Sequence, residues 1–309
     1  MSILCYCKFT IFASMKIESY EIFNDLFEKY NVKVFIKRLD DIPSLVSGNK
    51  YYKLKYNIVH ARKNSCKQII TFGGAFSNHI LATSIISKEN NLKSIAFIRG
   101  EETLPLNPTL KIAASNGMKI LYLSRNEDRN KHNPEFQKKL KLKYDDSYII
   151  NEGGTNYLAV KGTQEIISDE DSQDYICCPV GTGGTISGII NKSKVDQKVI
   201  GFMSLKNKID IQRDISLFTN KKNWVLNHEF TFGGYAKYNK KLVSFISNFY
   251  EKYNIPLDIV YNGKMFYGIY DLIKNKKIKN CSILLIHTGG LQGNLGMNYR
   301  FDLNLPSHK

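Results

Sequence analysis

Short apolar runs alternate along the chain with longer segments of amphipathic character. The short runs are rich in β-branched residues and predict buried strands, whereas apolar positions with a period of 3.6 residues predict helices. The predicted strands cover residues 32–36, 68–72, 94–98, 119–123, 175–180, 198–203 and 282–286. The predicted helices cover residues 18–30, 49–60, 78–88, 109–116, 135–142, 159–167, 185–191, 240–252 and 264–273.

This alternation with short connections predicts an α/β fold, in which mainly parallel sheets are covered by helices on both faces. A chain of 309 residues is long enough for one large domain or two domains in close contact. No internal repeat, low-complexity tract or Pro/Gly-rich linker separates the segments. Two domains would therefore interleave along the chain instead of following one another.

Glycine-rich segments fall at the ends of predicted strands or in loops. They are Gly73-Gly74, Gly153-Gly154, 181–184 and Gly289-Gly290. In open α/β sheets, ligands bind outside the carboxyl ends of the strands, where loops turn into helices. Glycine lets the backbone approach a ligand closely. The four segments therefore indicate several backbones that converge on one ligand.

The segment from Val180 to Gly188 follows a predicted strand and begins a predicted helix. Bare amides at a helix N-terminus bind phosphate, and threonine hydroxyls add donors. A dinucleotide fingerprint does not fit, because Ile186 stands where its third glycine belongs and the expected acid after the next strand is missing. A Walker loop would need Gly-Lys-Ser/Thr, which does not occur here. The segment predicts a site for a single phosphate, with a structural tight turn as the alternative.

Lys50 follows Ser47-Gly48-Asn49 at the start of a predicted helix. A lysine that forms a Schiff base must lose its proton, and both desolvation and cationic neighbours lower its pKa. Lys53 and Lys55 are close in sequence and would supply such charges. A lysine at a helix start is by itself usually a surface residue. It becomes a candidate only together with the phosphate segment.

Ser77 lies in a second segment that joins a predicted strand to a predicted helix. It fits the N-cap of that helix, and its hydroxyl is also placed to hold a substrate carboxylate or relay a proton. A hydrolase triad is not expected, because G-x-S-x-G is absent and no base partner is evident. We expect His79 on the helix surface or in support of the site. No metal is expected, since no ligand spacing such as H-E-x-x-H occurs.

Charge and cysteine content add two expectations. Lysine and arginine total 44 against 28 acids, so the net charge is +16. The positive electrostatic potential of such a charge suits a phosphate-bearing cofactor and an anionic substrate. The lysines are, however, scattered over predicted helices and are expected at the surface. Nucleic acid is not an expected partner, because no Arg-rich arm, zinc-finger spacing or basic-aromatic interleaving occurs. The six cysteines form no disulfide framework, which favours reduced, intracellular thiols.

The first fourteen residues are apolar, with Lys8 as their one charge. They lack the basic start and long apolar stretch of a signal peptide and are too short to span a bilayer. We therefore treat them as an extension or an alternative start before Met15. We expect a cytoplasmic protein without a membrane partner.

Between about Val32 and Met297 the chain contains a series of short motifs in a fixed order. They are Ile36-Lys37-Arg38 with Asp40, Gly48-Asn49-Lys50, Gly73-Gly74 with Ser77-Asn78-His79, Glu152-Gly153-Gly154-Thr155-Asn156, Gly181-Thr182-Gly183-Gly184-Thr185, Phe232-Gly233-Gly234-Tyr235, Val260-Tyr261 with Gly263-Lys264, and His287-Thr288-Gly289-Gly290. Together they resemble the 1-aminocyclopropane-1-carboxylate deaminase / D-cysteine desulfhydrase family. These enzymes depend on pyridoxal 5'-phosphate (PLP) and have the tryptophan-synthase-β fold type.

The resemblance implies PLP fold type II, with two intimately interleaved domains that are each a mainly parallel twisted sheet flanked by helices. Residues 1–53 and 161–309 would form a larger PLP-binding domain. Residues 54–160 would form a smaller domain, with the active site in the cleft between the two. A homodimer is expected.

The resemblance also implies roles for individual residues. Catalytic roles fall on Lys50 as the Schiff-base lysine and Cα base, on Ser77 as the carboxylate and proton-relay serine, and on two substrate-side tyrosines, Tyr235 and Tyr261. Contacts to the cofactor are implied for Lys50, Asn78 at its phenolic oxygen, the phosphate loop Gly181, Thr182, Gly183, Gly184 and Thr185, and also Asn262 and Thr288.

Asn262 departs from the family pattern, because the deaminases carry Glu and the desulfhydrases often Thr at this position. In the family this side chain faces the pyridine nitrogen, where a carboxylate makes the ring a strong electron sink. Asn supplies no such charge, which favours β-elimination from a small, D-cysteine-like amino acid, giving an α-keto acid and ammonia. Deamination of 1-aminocyclopropane-1-carboxylate and a PLP-binding homologue without activity stay as alternatives.

Overall fold

Two sheets organise the chain, for which a computed structural model describes residues 17–44, 46–206 and 210–307. The fourteen-residue leader lies outside these ranges. In chain order the strands are β1 (Ser19–Ile22), β2 (Val32–Arg38), β3 (Gln68–Gly73), β4 (Lys93–Arg99), β5 (Met118–Leu123), β6 (Ser147–Ile150), β7 (Tyr175–Val180), β8 (Lys198–Met203), β9 (Trp224–Asn227) and β10 (Cys281–His287).

Helices cover both sheets. They are α1 (Asp25–Lys29), α2 (Asn49–Lys63), α3 (Asn78–Glu89), α4 (Pro108–Ser115), α5 (Arg125–Arg129), α6 (Pro134–Lys143), α7 (Tyr157–Thr163), α8 (Gly184–Lys192), α9 (Ile211–Ser216), α10 (Lys240–Tyr253), α11 (Asn262–Lys274) and α12 (Gln292–Phe301). Within the described ranges, no helix is long and apolar enough to cross a bilayer.

The larger sheet has the strand order β1-β2-β10-β7-β8-β9, and the smaller has the order β5-β4-β3-β6. All pairs are parallel except β1 with β2, which is antiparallel. The predicted α/β fold of mainly parallel sheets flanked by helices is confirmed. The strand order also explains the interleaving, because β2 and β10 are neighbours although the whole smaller sheet lies between them in sequence.

Alternate residues of β10 belong to different cores, as expected for a central strand covered on both faces. Ile283 and Leu285 pack with apolar residues of α10 and α11 on one face. Leu284 and Ile286 pack on the other face with apolar residues of α2 and α8. The carboxyl end of β10 is therefore held rigidly between two layers of helices.

Helices α2, α7 and α8 pack in contact through two glycines. A Cβ added at Gly162 would lie 2.0 Å from the carbonyl oxygen of Tyr52, so α7 lies directly against α2. A Cβ added at Gly188 would lie 2.1 Å from Oγ1 of Thr163, so α8 lies directly against α7. The three helices form one closely packed group.

The predicted domain boundaries fall inside two of these helices. The boundary at 53/54 lies within α2 and the boundary at 160/161 lies within α7. The strands of the smaller sheet, residues 68–150, lie between them. The division into domains stays a prediction.

The N-terminal prediction was wrong. Residues 18–30 were expected to form one helix, but they form strand β1 and the short helix α1. Tyr20 pairs with Ile36 at the edge of the larger sheet, and the Asn24 side chain accepts a hydrogen bond from the Leu26 amide as the N-cap of α1. Pairing with β2 thus overrides the helical spacing of the apolar residues.

Candidate active site

A cavity of about 1260 Å³ lies between the two sheets, at the carboxyl ends of β3, β7 and β10. Ten of the predicted site residues line it: Lys50, Ser77, Asn78, Gly181, Thr182, Gly183, Thr185, Tyr235, Tyr261 and Thr288. Gly184 lies behind the loop, where an added Cβ would be 2.9 Å from Oγ1 of Thr155. Asn262 does not line the cavity.

Lys50 occupies the first turn of α2, next to the end of β10. The Asn49 amide donates to the carbonyl oxygen of Thr288 at 3.0 Å. Gly48 adopts φ +74°, and a Cβ there would lie 2.5 Å from that same oxygen. Only glycine combines this backbone conformation with this approach. The start of α2 is thereby fixed against β10.

The Lys50 amine is poised to lose its proton. Its Nζ donates to Oδ1 of Asn49 at 3.3 Å, and the side chain is half-buried in the cavity wall. Removal from water lowers the pKa of Lys50 to about 8. A neutral amine is the form that attacks a carbonyl.

The loop after β7 turns into α8 through Gly183, which adopts φ +86°. A Cβ at Gly183 would lie 3.0 Å from the Ile215 side chain, so a larger residue would displace the loop. Thr182 and Thr155 hydroxyls lie 2.6 Å apart, and Asn49 Nδ2 donates to Thr185 Oγ1 at 2.8 Å. The loop presents the N-terminus of α8 to the cavity, as an anion site requires.

Lys53 is a further charged group at this loop, and sequence reasoning gave it no role of its own. It is buried, and its Nζ donates to Gly153 O at 2.5 Å and to Thr155 Oγ1 at 2.9 Å. It also lies 3.4 Å from Thr182 Oγ1. An ammonium at this position would attract a phosphate bound at the loop. Its position one helical turn after Lys50 was the signal that could have identified it.

Ser77 and Asn78 lie where β3 turns into α3. Oγ of Ser77 accepts hydrogen bonds from the amides of His79 at 3.2 Å and Ile80 at 3.4 Å, so the N-cap prediction is confirmed. The same hydroxyl lines the cavity. Asn78 Nδ2 donates to Gly290 O at 3.4 Å, which ties α3 to the loop after β10.

His79 is buried. Of the two positions expected for it, the structure excludes the helix surface and agrees with a position behind the site. Thr71 Oγ1 donates its hydrogen to Ile150 O at 2.8 Å, and therefore accepts from His79 Nε2 at 2.8 Å. Among the described residues, none hydrogen-bonds Nδ1, which is a buried acceptor. Burial, together with the charges of Lys50 and Lys53, holds the pKa of His79 well below its usual value. The imidazole is neutral.

Tyr235 and Tyr261 meet edge to face, with ring centroids 6.1 Å apart. Tyr261 precedes α11, and Tyr235 lies in the loop between β9 and α10. Burial raises the pKa of Tyr261, and the hydrogen bond with Tyr235 raises it further. Tyr235 is 46% exposed, and a phenol in water has a pKa of about 10. Both are therefore neutral proton donors at physiological pH.

Asn262 is occupied by protein partners on all sides. Its Nδ2 donates to Asp258 Oδ2 at 2.6 Å and to Gly289 O at 2.7 Å. Its Oδ1 accepts from the Thr288 amide at 2.9 Å and from the Thr288 hydroxyl at 3.2 Å. The side chain is completely buried. Both amide hydrogens are used inside the protein. The contact of Asn262 with the cofactor stays a prediction. Thr288 is the group of this pair that lines the cavity.

Behind Thr288, a buried ion network supports the junction between α2 and β10. Arg38 Nε donates to Asp40 Oδ1 at 2.7 Å, and His287 Nδ1 lies 2.9 Å from the same carboxylate. His287 Nε2 donates to Pro256 O at 2.7 Å. Burial would lower the pKa of His287, but the charge and hydrogen bond of Asp40 outweigh it and raise that pKa.

A charged cluster lines the small-sheet side of the cavity and was not predicted. Lys131 Nζ bridges Asp128 Oδ2 at 2.8 Å and Glu152 Oε2 at 2.7 Å. Arg99 approaches the same two acids at 3.7 and 3.9 Å. Arg99 is the last residue of β4, the pair Asp128 and Lys131 follows β5, and Glu152 follows β6. The sheet brings these three segments together.

Comparison with known proteins identifies the family. No family model matches the chain. A Thermotoga maritima protein named as a candidate 1-aminocyclopropane-1-carboxylate deaminase is 31% identical, over 91% of this chain and 96% of its own. An Arabidopsis thaliana mitochondrial protein named as a bifunctional D-cysteine desulfhydrase/1-aminocyclopropane-1-carboxylate deaminase is 29% identical, over 84% of this chain and 73% of its own.

Among solved structures, one described as an ACC deaminase homologue superposes with a TM-score of 0.80 at 24% identity. The match covers 94% of this chain and 93% of the other. The fold is therefore that of PLP fold type II, as the motifs had predicted. From its sequence relatives, the chain belongs to the 1-aminocyclopropane-1-carboxylate deaminase / D-cysteine desulfhydrase family.

Proposed function

We propose that this protein binds PLP and deaminates a small amino acid by β-elimination, as a D-cysteine desulfhydrase does, giving an α-keto acid and ammonia. One observation carries the proposal: a lysine amine with a lowered pKa and a phosphate-type loop with its own buried ammonium line the same cavity. The names of the relatives support the same class of reaction.

The residues at the cavity fit PLP. Gly153 and Gly183 let the loop pack closely, because a Cβ there would lie 2.7 Å from the Thr182 side chain and 3.0 Å from the Ile215 side chain respectively. Lys53 offers a cation to a phosphate. We propose that the loop from Gly181 to Thr185 holds the phosphate, Lys50 holds the aldehyde carbon, and Asn78 and Thr288 contact the ring. When bound, PLP supplies a ring that draws electrons from the Cα of an amino acid.

The protein's own groups would supply the proton transfers. We assign to Ser77 and the amides at the start of α3 the binding of the substrate carboxylate, because an N-cap hydroxyl and a helix N-terminus both suit an anion. The Lys50 amine takes the proton from Cα, which its lowered pKa favours near neutral pH. The neutral phenols of Tyr235 and Tyr261 can donate a proton to the departing β-group.

The neighbourhood of Thr288 bears on the choice of substrate. Asp258, which accepts a hydrogen bond from the Asn262 side chain behind Thr288, is completely buried and also accepts hydrogen bonds from the backbone amides of Val260, Tyr261 and Asn262. Thr288 itself is uncharged. A ring held by an uncharged partner is a weaker electron sink, and expulsion of a thiolate demands less of the sink than the opening of a cyclopropane. This favours β-elimination.

The first experiment tests cofactor binding. The purified protein is mixed with PLP, and we expect a visible absorption band that borohydride quenches and a mass increase on the peptide that contains Lys50. Lys50→Ala should lose both signals. Lys63→Ala removes an exposed lysine from the same helix and serves as the matched control. The same trapped mass in Lys50→Ala would overturn the assignment.

The second experiment tests the reaction. Ammonia, keto acid and sulfide are measured for a panel of D- and L-amino acids that includes D-cysteine, together with 1-aminocyclopropane-1-carboxylate. Sulfide and ammonia from D-cysteine support the proposal. Ammonia from the cyclopropane substrate alone would favour the second candidate, which the relatives' names also support. No product from a PLP-loaded protein would favour a homologue without activity.

We further propose that the protein is a homodimer and that it is located in the cytoplasm. Sedimentation of the PLP-loaded protein tests the first, and fractionation of the source cells tests the second.

A further inference from the structure

The loop that carries Tyr235 has an unusual backbone. Between β9 and α10, the angle φ is positive at Phe232 (52°), Gly233 (95°), Gly234 (119°) and Ala236 (53°). Glycine adopts such angles freely, whereas Phe and Ala adopt them only at a cost in energy. A loop of this kind keeps its shape only when its surroundings hold it.

Lys264 provides a hold on this loop. It lies in the first turn of α11, is 1% exposed, and is one of the largest fully buried side chains among the described residues. Its Nζ donates to Thr231 O at 2.8 Å and to Gly234 O at 2.6 Å. The Gly234 amide also donates to Thr231 O at 3.0 Å, so the lysine closes a compact turn.

Packing alone does not explain a lysine at this position. A buried ammonium is costly unless it is hydrogen-bonded, and a cation in the first turn of a helix is opposed by the helix dipole. Burial accordingly lowers the pKa of Lys264 to about 8, with Asp258 as the opposing influence. An apolar residue of similar length would fill the space without these costs. What the lysine adds is the pair of hydrogen bonds to the loop.

The position of Lys264 links the two tyrosines. Tyr261 lies one turn before it on the same helix start, and Tyr235 follows Gly234, whose carbonyl the lysine binds. One rigid helix end therefore carries one tyrosine and fixes the backbone of the other. The edge-to-face contact of the two rings depends on both.

We propose that Lys264 is a positioning residue, which fixes the 231–234 backbone so that the Tyr235 phenol stays against Tyr261 in the cavity. It does not touch the reacting groups. Its part in catalysis rests on the proposed function, but its hold on the loop does not.

Hydrogen exchange tests directly whether Lys264 restrains the loop, and it requires no activity assay. In Lys264→Met, we expect amide exchange in a peptide covering 230–237 to become about tenfold faster, because the loop opens locally. Lys37→Met is the matched control: Lys37 is equally buried and binds Asp171 and Ile166 O, away from the cavity. Faster exchange in Lys264→Met only, confined to this loop, supports the proposal. Unchanged exchange there, or the same loop opening in Lys37→Met, would overturn it.

A double-mutant cycle tests the catalytic part. We expect Lys264→Met to lower kcat/KM by about tenfold in the wild-type background, since a displaced catalytic group is costly. In the Tyr235→Phe background the same change should have less than about a twofold effect, because the two residues act through one contact. Independent, multiplying effects would contradict the link. Should the Met variant not fold, Lys264→Leu, which also lacks an N–H donor, takes its place in both experiments.

The two outcomes separate the proposals. If the protein shows no activity on the amino-acid panel, the exchange experiment still reports whether the loop opens in Lys264→Met. A loop that opens while the cycle shows no coupling would confirm that Lys264 restrains the loop, and would show that this restraint does not act through Tyr235.

Discussion

At the scale of single residues, Lys50 combines a position with a protonation state. Its amine lies in the wall of the cavity, where removal from water lowers its pKa to about 8. The sequence predicted this residue through its motif. The extent of its burial depends on how α2 meets β10, a contact between segments more than two hundred residues apart.

The first prediction concerns the pH dependence of PLP capture by Lys50. Only the neutral amine reacts, and a lowered pKa increases its fraction as the pH rises through 8. We expect the initial rate of borohydride-trapped incorporation to rise between pH 7 and 9 and to be half-maximal near 8. A rate that keeps rising up to the ordinary lysine value of 10.5 would show that the amine is fully solvated.

The second prediction concerns Asn262. Asn262→Ala leaves Asp258, the Gly289 carbonyl and the Thr288 amide without this partner inside the protein. Unsatisfied buried polar groups are costly, so we expect a loss of about 3 kcal/mol in the free energy of unfolding. Urea denaturation measures it. Asn275→Ala removes an exposed hydrogen bond to Asp271 and should change stability by less than about 0.5 kcal/mol. Equal effects would contradict a structural role for Asn262.

Asn262 also shows where sequence reasoning stopped at this scale. The position in the motif was identified, and its chemistry was argued from the amide group alone. The four hydrogen bonds that occupy that amide come from residues 258, 288 and 289, and two of these groups are backbone atoms. Backbone partners leave no signature in a sequence.

At the scale of elements, long periodic segments were predicted well and short edge segments were not. The predicted strands at 68–72 and 175–180 match β3 and β7 closely, because buried parallel strands are continuous apolar runs. Helix α12, of ten residues, was missed. Strands β6 and β9, each of four residues, and the short helices α5 and α9 were missed as well. Such short elements exist through their neighbours in the sheet or core more than through their own sequence.

The third prediction concerns the start of α2. Gly48→Ala meets two costs, a positive φ and a Cβ only 2.5 Å from Thr288 O. Gly117→Ala isolates the first cost, because Gly117 has φ +85° and open space around it. We expect a loss of about 1 to 2 kcal/mol for Gly117→Ala, and of about 3 kcal/mol or more for Gly48→Ala. Denaturant unfolding of both variants gives the comparison, and equal losses would exclude the steric contact.

At the scale of the whole molecule, the ion network at the junction of α2 and β10 makes stability depend on pH. Asp40 raises the pKa of His287 above its ordinary value of 6.5. A base with a raised pKa stabilises the fold fully below its ordinary value, and this contribution disappears as the pH rises through the raised one.

The fourth prediction follows from this sign. The difference in unfolding free energy between the wild type and His287→Asn should be largest below about pH 6.5 and should narrow as the pH rises. Thermal unfolding at a series of pH values measures it. His60→Asn changes a histidine outside the network and gives the baseline. A difference that widens with pH would mean that His287 is neutral in the folded protein.

The contacts of Gly162 and Gly188 have a consequence for how this protein can change. Helix α2 carries the Lys50 amine, and α8 begins at the 181–185 loop, which we propose holds the phosphate. Helix α7 separates α2 from α8 through these two glycines. The packing of the three helices thus sets the distance between Lys50 and the loop proposed to hold the phosphate. A methyl group at either glycine would increase that distance without altering any residue of the cavity. Variation in cofactor fit among such chains can therefore originate far from the site, at positions that no comparison of cavity residues would inspect.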